Sequence, residues 1–289
     1  MKRWRLMMLG PMIAAPVAAP PIVLPAGAWT LLGFLVAQPH HDATRDAAAA
    51  ALWPDQPGEA ARPSLATLLW RIKSVFGDVA NPLVAQGDRL SLRRRGSLWI
   101  DALALERRAS VAMTGMPPFR RARARRQLLA LSGDFLPTID AGWALLERER
   151  LRCLRLDALF ALASADCATG DWQAVVDSAR ALCAAEPLRE DAQRLLMLGY
   201  AHTGNRALAI RQYARCASVL ADELGIDPMP ETRMLHQRLA SGGPVMPDMP
   251  AVRGPMLPDA FDVRAALIAA RDTMSAAIGL IDRTFPPLS

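Results

Sequence analysis

The sequence predicts a mainly α-helical fold in which a small N-terminal domain with short β-strands precedes a domain of stacked helical hairpins. Hydrophobic residues make up 52% of the 289-residue chain, and Ala and Leu are abundant, which is typical of helical globular proteins. In the second half, a short motif recurs after one helical hairpin's length of chain. Near Gly87, apolar segments flank a turn and predict a β-hairpin.

The recurring motif indicates a tetratricopeptide-like repeat. Residues 168–175 match residues 202–209, and in each copy a helical pattern runs into Thr-Gly before a second helical pattern begins. Gly170 and Gly204 are 34 residues apart, which is the period of a tetratricopeptide hairpin. Glycine suits a helix C-cap because the backbone turns left-handed there. One hairpin cannot bury its apolar face alone, so such units stack. An unrelated pair of helical hairpins is the alternative.

The N-terminal segment is predicted to form strands. Residues 1–25 combine cations with apolar residues, as a signal peptide does, but Pro11, Pro16 and Pro20 interrupt the apolar stretch. No continuous apolar run reaches 18 residues, so we expect a cytoplasmic protein with no membrane span. Residues 4–12 and 22–24 are the predicted strands. We expect the four cysteines to be buried thiols, since they form no CxxC pair and no ligand spacing with histidine.

Helical patterns follow at residues 28–38, at residues 45–53 with Thr44 as N-cap, and from about residue 61 or 63 to 76, with Pro63 in the first turn. The third helix has two distinct faces. Its predicted buried stripe consists of Leu65, Leu68, Leu69, Ile72, Val75 and Phe76. Its predicted polar face consists of Ser64, Thr67, Arg71 and Ser74, with Lys73 flanking it.

A hairpin closes this domain. Residues 83–85 and 89–92 flank Gln86-Gly87-Asp88, and Arg93, Arg94 and Arg95 follow. Strands, three helices and a closing hairpin together predict a winged helix, whose polar helix can enter the DNA major groove while the basic hairpin lies on phosphates. Residues 1–96 hold 11 Lys and Arg against 6 Asp and Glu, which is +5 of the chain's net +6. An ordinary small α/β domain with a solvated helix face is the alternative.

The second half continues with helical patterns from residue 101 to 114, from 143 to 168 and from 231 to 239. The run Arg120, Arg121, Arg123, Arg125 and Arg126 is typical of a solvated face, and a second phosphate contact is the alternative. The charges between residues 147 and 152 predict salt bridges along an exposed face. Residues 241–258 are predicted to be a linker, and residues 259–289 an amphipathic helix that packs on the repeats, pairs with another copy or binds a partner.

Several of these motifs resemble those of the SARP/AfsR-type transcriptional regulators, in which an OmpR-like winged helix precedes a bacterial transcriptional activator domain. In the second half they are Asp134-Phe135-Leu136-Pro137, Trp143, residues 147–152, Pro187-Leu188-Arg189-Glu190, Tyr213 and residues 220–231. In the first half they are Leu9-Gly10-Pro11, Leu52-Trp53-Pro54-Asp55 and Arg89-Leu90.

The resemblance implies a winged helix DNA-binding domain over residues 1–98 and an activator domain over residues 99–240. It implies double-stranded promoter DNA as a partner, bound as a homodimer or in tandem on direct repeats, and contact with RNA polymerase holoenzyme. The sequence departs from the family at Trp70, where a polar residue is usual, and in the few cations of the third helix. It contains no GxxxxGK[ST] motif, so no ATP-binding module is implied.

The leading hypothesis is therefore a DNA-binding regulator without enzymatic activity, cofactor or metal. Ser64, Thr67 and Arg71 are expected to face the groove, and Arg62, Lys73, Arg93, Arg94 and Arg95 to hold phosphates. The second hypothesis is an interaction protein whose winged helix has lost DNA binding and whose repeats bind a protein or a small effector. An enzyme is the third, because the sequence has no nucleophile elbow, metal-ligand cluster or phosphate loop.

Overall fold

The computed structural model describes residues 4–56, 58–93 and 98–242, so Arg94, Arg95, the predicted linker beyond Gly242 and the predicted C-terminal helix lie outside it. The N-terminal half contains β1 (Trp4–Met7), β2 (Ile13–Pro16), α1 (Ala28–Ala37), β3 (Asp42–Thr44), α2 (Arg45–Leu52), α3 (Gly58–Ala80), β4 (Leu83–Gln86), β5 (Arg89–Leu92) and β6 (Leu98–Ile100). The C-terminal half contains α4 (Asp101–Met113), α5 (Pro118–Ala130), α6 (Gly142–Thr169), α7 (Trp172–Ala185), α8 (Glu190–His202), α9 (Arg206–Leu224) and α10 (Pro230–Ser241).

The first sheet has the strand order β2-β1-β6. Strands β1 and β2 are antiparallel, and β6 pairs with β1 in parallel. The predicted strand over residues 4–12 is wrong in extent, because the chain turns at Gly10 (φ 77°) and returns as β2. Ile22 forms only an isolated bridge to Ala14. Strand β6 was not predicted, since its three residues give no local pattern.

The second sheet contains the predicted hairpin. Strands β4 and β5 are antiparallel and turn at Gly87, whose φ of 57° is cheap for glycine. Strand β3, which was not predicted, pairs with the other edge of β5. Helices α1 and α2 begin where the sequence predicts. The Thr44 hydroxyl accepts the amide hydrogen of Ala47 over 3.1 Å and confirms the predicted N-cap of α2.

Helix α3 begins earlier than predicted, at Gly58, so Pro63 lies inside the helix and not in its first turn. Tertiary contacts extend the helix upstream of the proline, because Ala61 is buried and the Arg62 side chain is tied to α2. Gly77, with φ 73° and ψ 166°, interrupts the helical backbone just after residue 76, where the helix was predicted to end. The predicted stripe is buried at Leu65, Leu68, Ile72 and Phe76 and partly buried at Leu69, but Val75 is exposed.

Helices α6 to α9 form the predicted tetratricopeptide-like hairpins, each packing on the next. Gly170 and Gly204 both have left-handed backbone where the first helix of each hairpin ends, with φ of 75° and 80°. The hairpins approach each other closely at Gly199, where a Cβ atom would lie 2.7 Å from Cγ2 of Val176. Gly199 therefore lets α7 and α8 pack more closely than a larger residue would allow.

Two of the five arginines in the predicted charge run are not solvated. Arg121 and Arg125 are buried and both bond to Asp166 of α6, at 3.0 and 2.7 Å. They are spaced four residues apart, so they share the inner face of α5. Arg120, Arg123 and Arg126 lie on its exposed side. The prediction of one exposed basic face is therefore wrong for the inner pair.

The predicted salt bridges of α6 are exposed only in part. Glu149 and Arg152 form an exposed pair at 2.9 Å, as predicted, but the other charges are turned inward. Glu147 is buried, and Arg150 forms ion pairs with both Glu147 and Glu106 of α4. Arg148 donates to the carbonyl oxygens of Phe135 (2.9 Å) and Leu136 (2.8 Å). These side chains therefore bind α4 and the loop before α6, and they do not project into solvent.

The cysteines are not all buried as expected. Cys167 and Cys216 are buried and Cys183 is half-buried, but Cys153 is exposed. Burial raises the pKa of the Cys183 thiol to about 12, so this group stays protonated at neutral pH. Across the described ranges, no cluster of His, Cys, Asp and Glu has the arrangement of a metal site, and no helix is long and apolar enough to cross a membrane.

The two halves of the chain share an extensive junction. Strand β6 ends at Ile100 and α4 begins at Asp101, whose buried carboxylate accepts the amide hydrogens of Met8 (2.8 and 2.9 Å) and Leu9 (2.9 Å). The amide of Leu136 donates to the Met8 carbonyl over 2.8 Å. Helix α1 contributes Phe34, whose ring meets Trp143 of α6 edge-on at 5.5 Å.

Candidate nucleic-acid interface

The packing of α3 fixes which of its faces meets solvent. Leu68 approaches the start of α1, because a Cβ atom on Gly27 would lie 3.4 Å from its Cδ2. At the other end, Phe76 packs against Trp4 of β1 with ring centroids 4.6 Å apart. These contacts hold the apolar side inward. The opposite side exposes the predicted residues Ser64, Thr67, Arg71 and Ser74.

Arg71 is the cation best placed for base contact. It is exposed, and no carboxylate in the described part of the chain pairs with it. A free guanidinium can donate two parallel hydrogen bonds to O6 and N7 of guanine. Thr67 donates its hydroxyl hydrogen to the carbonyl of Pro63 over 3.0 Å, which leaves its oxygen as an acceptor toward the groove.

The other two predicted cations of α3 are ion-paired. Arg62 forms a two-point pair with Asp46 of α2, at 3.0 and 3.1 Å, and the Arg62 hydrogen bond lowers the pKa of Asp46. Lys73 lies 2.7 Å from Asp78. All four side chains are more than half exposed, so solvent and salt weaken these pairs and a phosphate can replace the carboxylates.

The cations on and next to the hairpin of β4 and β5 also have partners within the protein. Arg89 bonds to Oδ2 of Asp42 at 2.7 and 3.1 Å, and Arg45 donates to the Gly87 carbonyl over 3.1 Å. Arg93 is half-buried and donates to the Asn81 carbonyl over 2.9 Å. The phosphate roles predicted for Arg62, Lys73 and Arg93 therefore require rearrangement, and those of Arg94 and Arg95 concern residues outside the described ranges.

The structure thus gathers Ser64, Thr67 and Arg71 on one helix face and places Arg93 at the end of β5. Sequence reasoning missed two features of this surface. One is the exposure of Trp70, which the sequence marked only as a departure from the family and which is 68% exposed beside Arg71. The other is Arg45, whose contact with the hairpin turn joins α2 to the wing. The helical period could have predicted the exposure of Trp70, because this residue lies one turn after Ala66 and Thr67 on the same side of the helix.

Comparison with known proteins finds similar transcriptional regulators. Residues 100–240 match the model of the Bacterial transcriptional activator domain. The chain is 30% identical over 266 residues to Regulatory protein AfsR of Streptomyces coelicolor, covering 86% of this chain but only 27% of that protein. It is 27% identical over 219 residues to Transcriptional regulatory protein MoaR1 of Mycobacterium tuberculosis, covering 72% of this chain and 70% of that protein.

A solved structure supports the fold. Mycobacterium tuberculosis EmbR, determined in complex with a low affinity phosphopeptide, superposes with a TM-score of 0.64 and 24% identity, covering 94% of this chain and 72% of EmbR. The chain therefore shares its fold, with short N-terminal strands followed by packed helices, with a protein of solved structure. The activator-domain match and the similarity to these regulators confirm the resemblance to the SARP/AfsR-type transcriptional regulators.

Proposed function

We propose that this chain is a DNA-binding transcriptional regulator that acts without catalysis. The observation that carries the proposal is the exposed face of α3, where Ser64, Thr67 and Arg71 lie together and Arg71 has no carboxylate partner within the described residues. A helix of this kind enters the major groove, which is about 12 Å wide. The match to the activator-domain model and the similarity to AfsR support the same function.

In this proposal Arg71 bonds a guanine, while Ser64 and Thr67 bond bases or phosphates. Arg62 and Lys73 exchange Asp46 and Asp78 for phosphates on either side of the groove. The hairpin of β4 and β5 lies on the backbone, with Arg93, Arg94 and Arg95 as its cations. Each such contact releases condensed counterions, so binding should depend steeply on salt.

The helical repeats supply the second half of the proposed activity. Stacked hairpins offer a continuous surface, which suits contact with RNA polymerase holoenzyme or association with a second copy of the chain. A homodimer on double-stranded promoter DNA would occupy two half-sites on one face of the duplex, about one helical turn apart. The chain spans only about a quarter of the length of AfsR. Its partners are therefore proposed from its own structural features and from its resemblance to these regulators.

Arg71→Ala should weaken binding to the preferred sequence by about 1–3 kcal/mol, because it removes a two-point contact with guanine. Fluorescence anisotropy on a duplex from the chain's own upstream region, with a scrambled duplex beside it, measures the change. Arg211→Ala, which removes an exposed arginine from α9, is the matched control and should leave affinity unchanged. Equal affinities for Arg71→Ala and the parent protein would remove Arg71 from the base contacts.

A second candidate function rests on the internal ion pairs. Arg62, Lys73 and Arg89 all have carboxylate partners in the free protein, which is what a winged helix that no longer binds DNA would retain. That protein would use its repeats to bind another protein or a small effector. Salt titration separates the two candidates. A regulator should lose affinity for its own site linearly in the logarithm of salt concentration, with a slope of about −0.9 for each phosphate contacted.

A further inference from the structure

We propose that Trp70 determines sequence specificity by contacting the C5 methyl group of a thymine in the major groove. The inference rests on the proposed function, and it adds a residue that departs from the family's usual polar side chain at this position. Trp70 lies at the centre of the exposed face of α3 and is 68% exposed. It immediately precedes Arg71, the predicted guanine contact.

The exposure of Trp70 follows from its neighbours on the helix. Ala66 and Thr67 lie one turn before it and Ser74 one turn after it, and all three are exposed and too short to cover an indole. Lys73 is long enough, but its ammonium group lies 2.7 Å from Asp78. No aromatic ring in the described part of the chain stacks on Trp70. Its apolar surface is therefore available to a partner outside the chain.

The buried side of the helix fixes the direction of this surface. Leu65, Leu68 and Ile72 lie in the core, so α3 cannot rotate to bring Trp70 inward without exposing all three. On this face the guanidinium of Arg71 supplies hydrogen-bond donors, and the neighbouring indole of Trp70 supplies a flat apolar surface. The two side chains differ by about 100° around the helix, so they contact different base pairs.

The chemistry of the groove selects the ligand. Guanine, cytosine and adenine present acceptors and donors at the major-groove edge, whereas thymine also presents a methyl group. An indole ring gains little from the polar edges but gains favourable contact from removing a methyl group and its own face from water. Trp70 thus discriminates thymine from cytosine, which lacks the methyl group.

The test begins with in vitro selection of binding sites from random duplex DNA by the full chain. Each thymine of the selected site is then replaced singly by deoxyuridine, which removes only the methyl group. We expect one replacement to weaken binding about fourfold, the value for one buried methyl group. Trp70→Ala should weaken binding to the unmodified site about tenfold, and in that variant the same deoxyuridine should cost less than about 1.5-fold.

Phe119→Ala is the matched control, because Phe119 is an aromatic residue that is 77% exposed on α5, away from the proposed interface. It should preserve both the affinity and the deoxyuridine penalty, and Trp70→Phe should retain part of both. Full affinity in Trp70→Ala, or an unchanged deoxyuridine penalty, would overturn the assignment while leaving the regulator intact. If the parent protein enriched no sequence at all, that result would instead contradict the proposed function itself.

Discussion

Asp166→Ala should lower the free energy of unfolding by about 3–5 kcal/mol, the cost of leaving buried charges without their partner. The Asp166 side chain is 3% exposed, and it pairs with Arg121 and Arg125, each 9% exposed. Arg121 also donates to the Ala165 carbonyl (2.7 Å) and the Thr169 hydroxyl (2.9 Å), so it cannot swing out to solvent without losing those bonds. Both guanidinium groups would stay in a dry environment with no counter-charge.

Chemical denaturation followed by circular dichroism measures the effect. Glu149→Ala is the control on the same helix, because it removes an exposed carboxylate paired with Arg152 and should cost less than about 1 kcal/mol. Asp166→Asn keeps an oxygen acceptor at the same place and should fall between the two. If Asp166→Ala were as stable as Glu149→Ala, the buried cluster would not hold α5 against α6.

Gly133→Ala should destabilise the chain by about 2–5 kcal/mol. The backbone of Gly133 has φ 115°, where a side chain adds about 1–2 kcal/mol of strain. A Cβ atom there would also lie 2.8 Å from the Gly10 amide nitrogen and 2.9 Å from its Cα, and crowding of this kind costs about 1–3 kcal/mol more. The obstructing atoms are backbone, and Gly10 is held by a 2.8 Å hydrogen bond to the Asp134 carbonyl, so the loops cannot separate freely.

Gly115→Ala isolates the strain from the clash. Gly115 has a comparable φ of 96°, but nothing lies within 4 Å of the position of a Cβ atom. Thermal unfolding of the two variants should therefore show a clearly larger loss for Gly133→Ala. Equal losses would mean that the close approach of the two loops contributes nothing beyond the backbone conformation.

The sequence is most informative where structure is decided locally. Thr44 caps α2 through a residue three positions away, and Gly87, Gly170 and Gly204 each supply a left-handed backbone that few other residues adopt cheaply. The faces of α3 follow from the helical period, which is why the exposed positions of Ser64, Thr67 and Arg71 were predicted correctly.

The errors arise where distant parts of the chain meet. Strand β6 forms because it pairs with β1, which lies more than 90 residues earlier in the sequence. Three residues alone contain no pattern that predicts this pairing. Arg121 and Arg125 belong to a basic run that is normally solvated, yet Asp166 draws them inward. The ion pair between Arg62 and Asp46 lowers the number of free cations on the proposed interface, and periodicity contains no information about that partner.

The junction between the halves has a consequence for operator geometry. Strand β6 passes into α4 with no intervening residue, and the amides of Met8 and Leu9 depend on the Asp101 carboxylate for acceptors. Helix α3 packs on this N-terminal half through Phe76 and Trp4, so the proposed DNA-binding face and the repeats belong to one compact unit. Two copies that bind DNA as proposed and associate through their repeats would hold their two DNA-binding faces at a fixed distance. The separation of the half-sites would be set by protein packing, and inserting five base pairs would turn one half-site to the far side of the duplex, since about 10.5 base pairs make one turn.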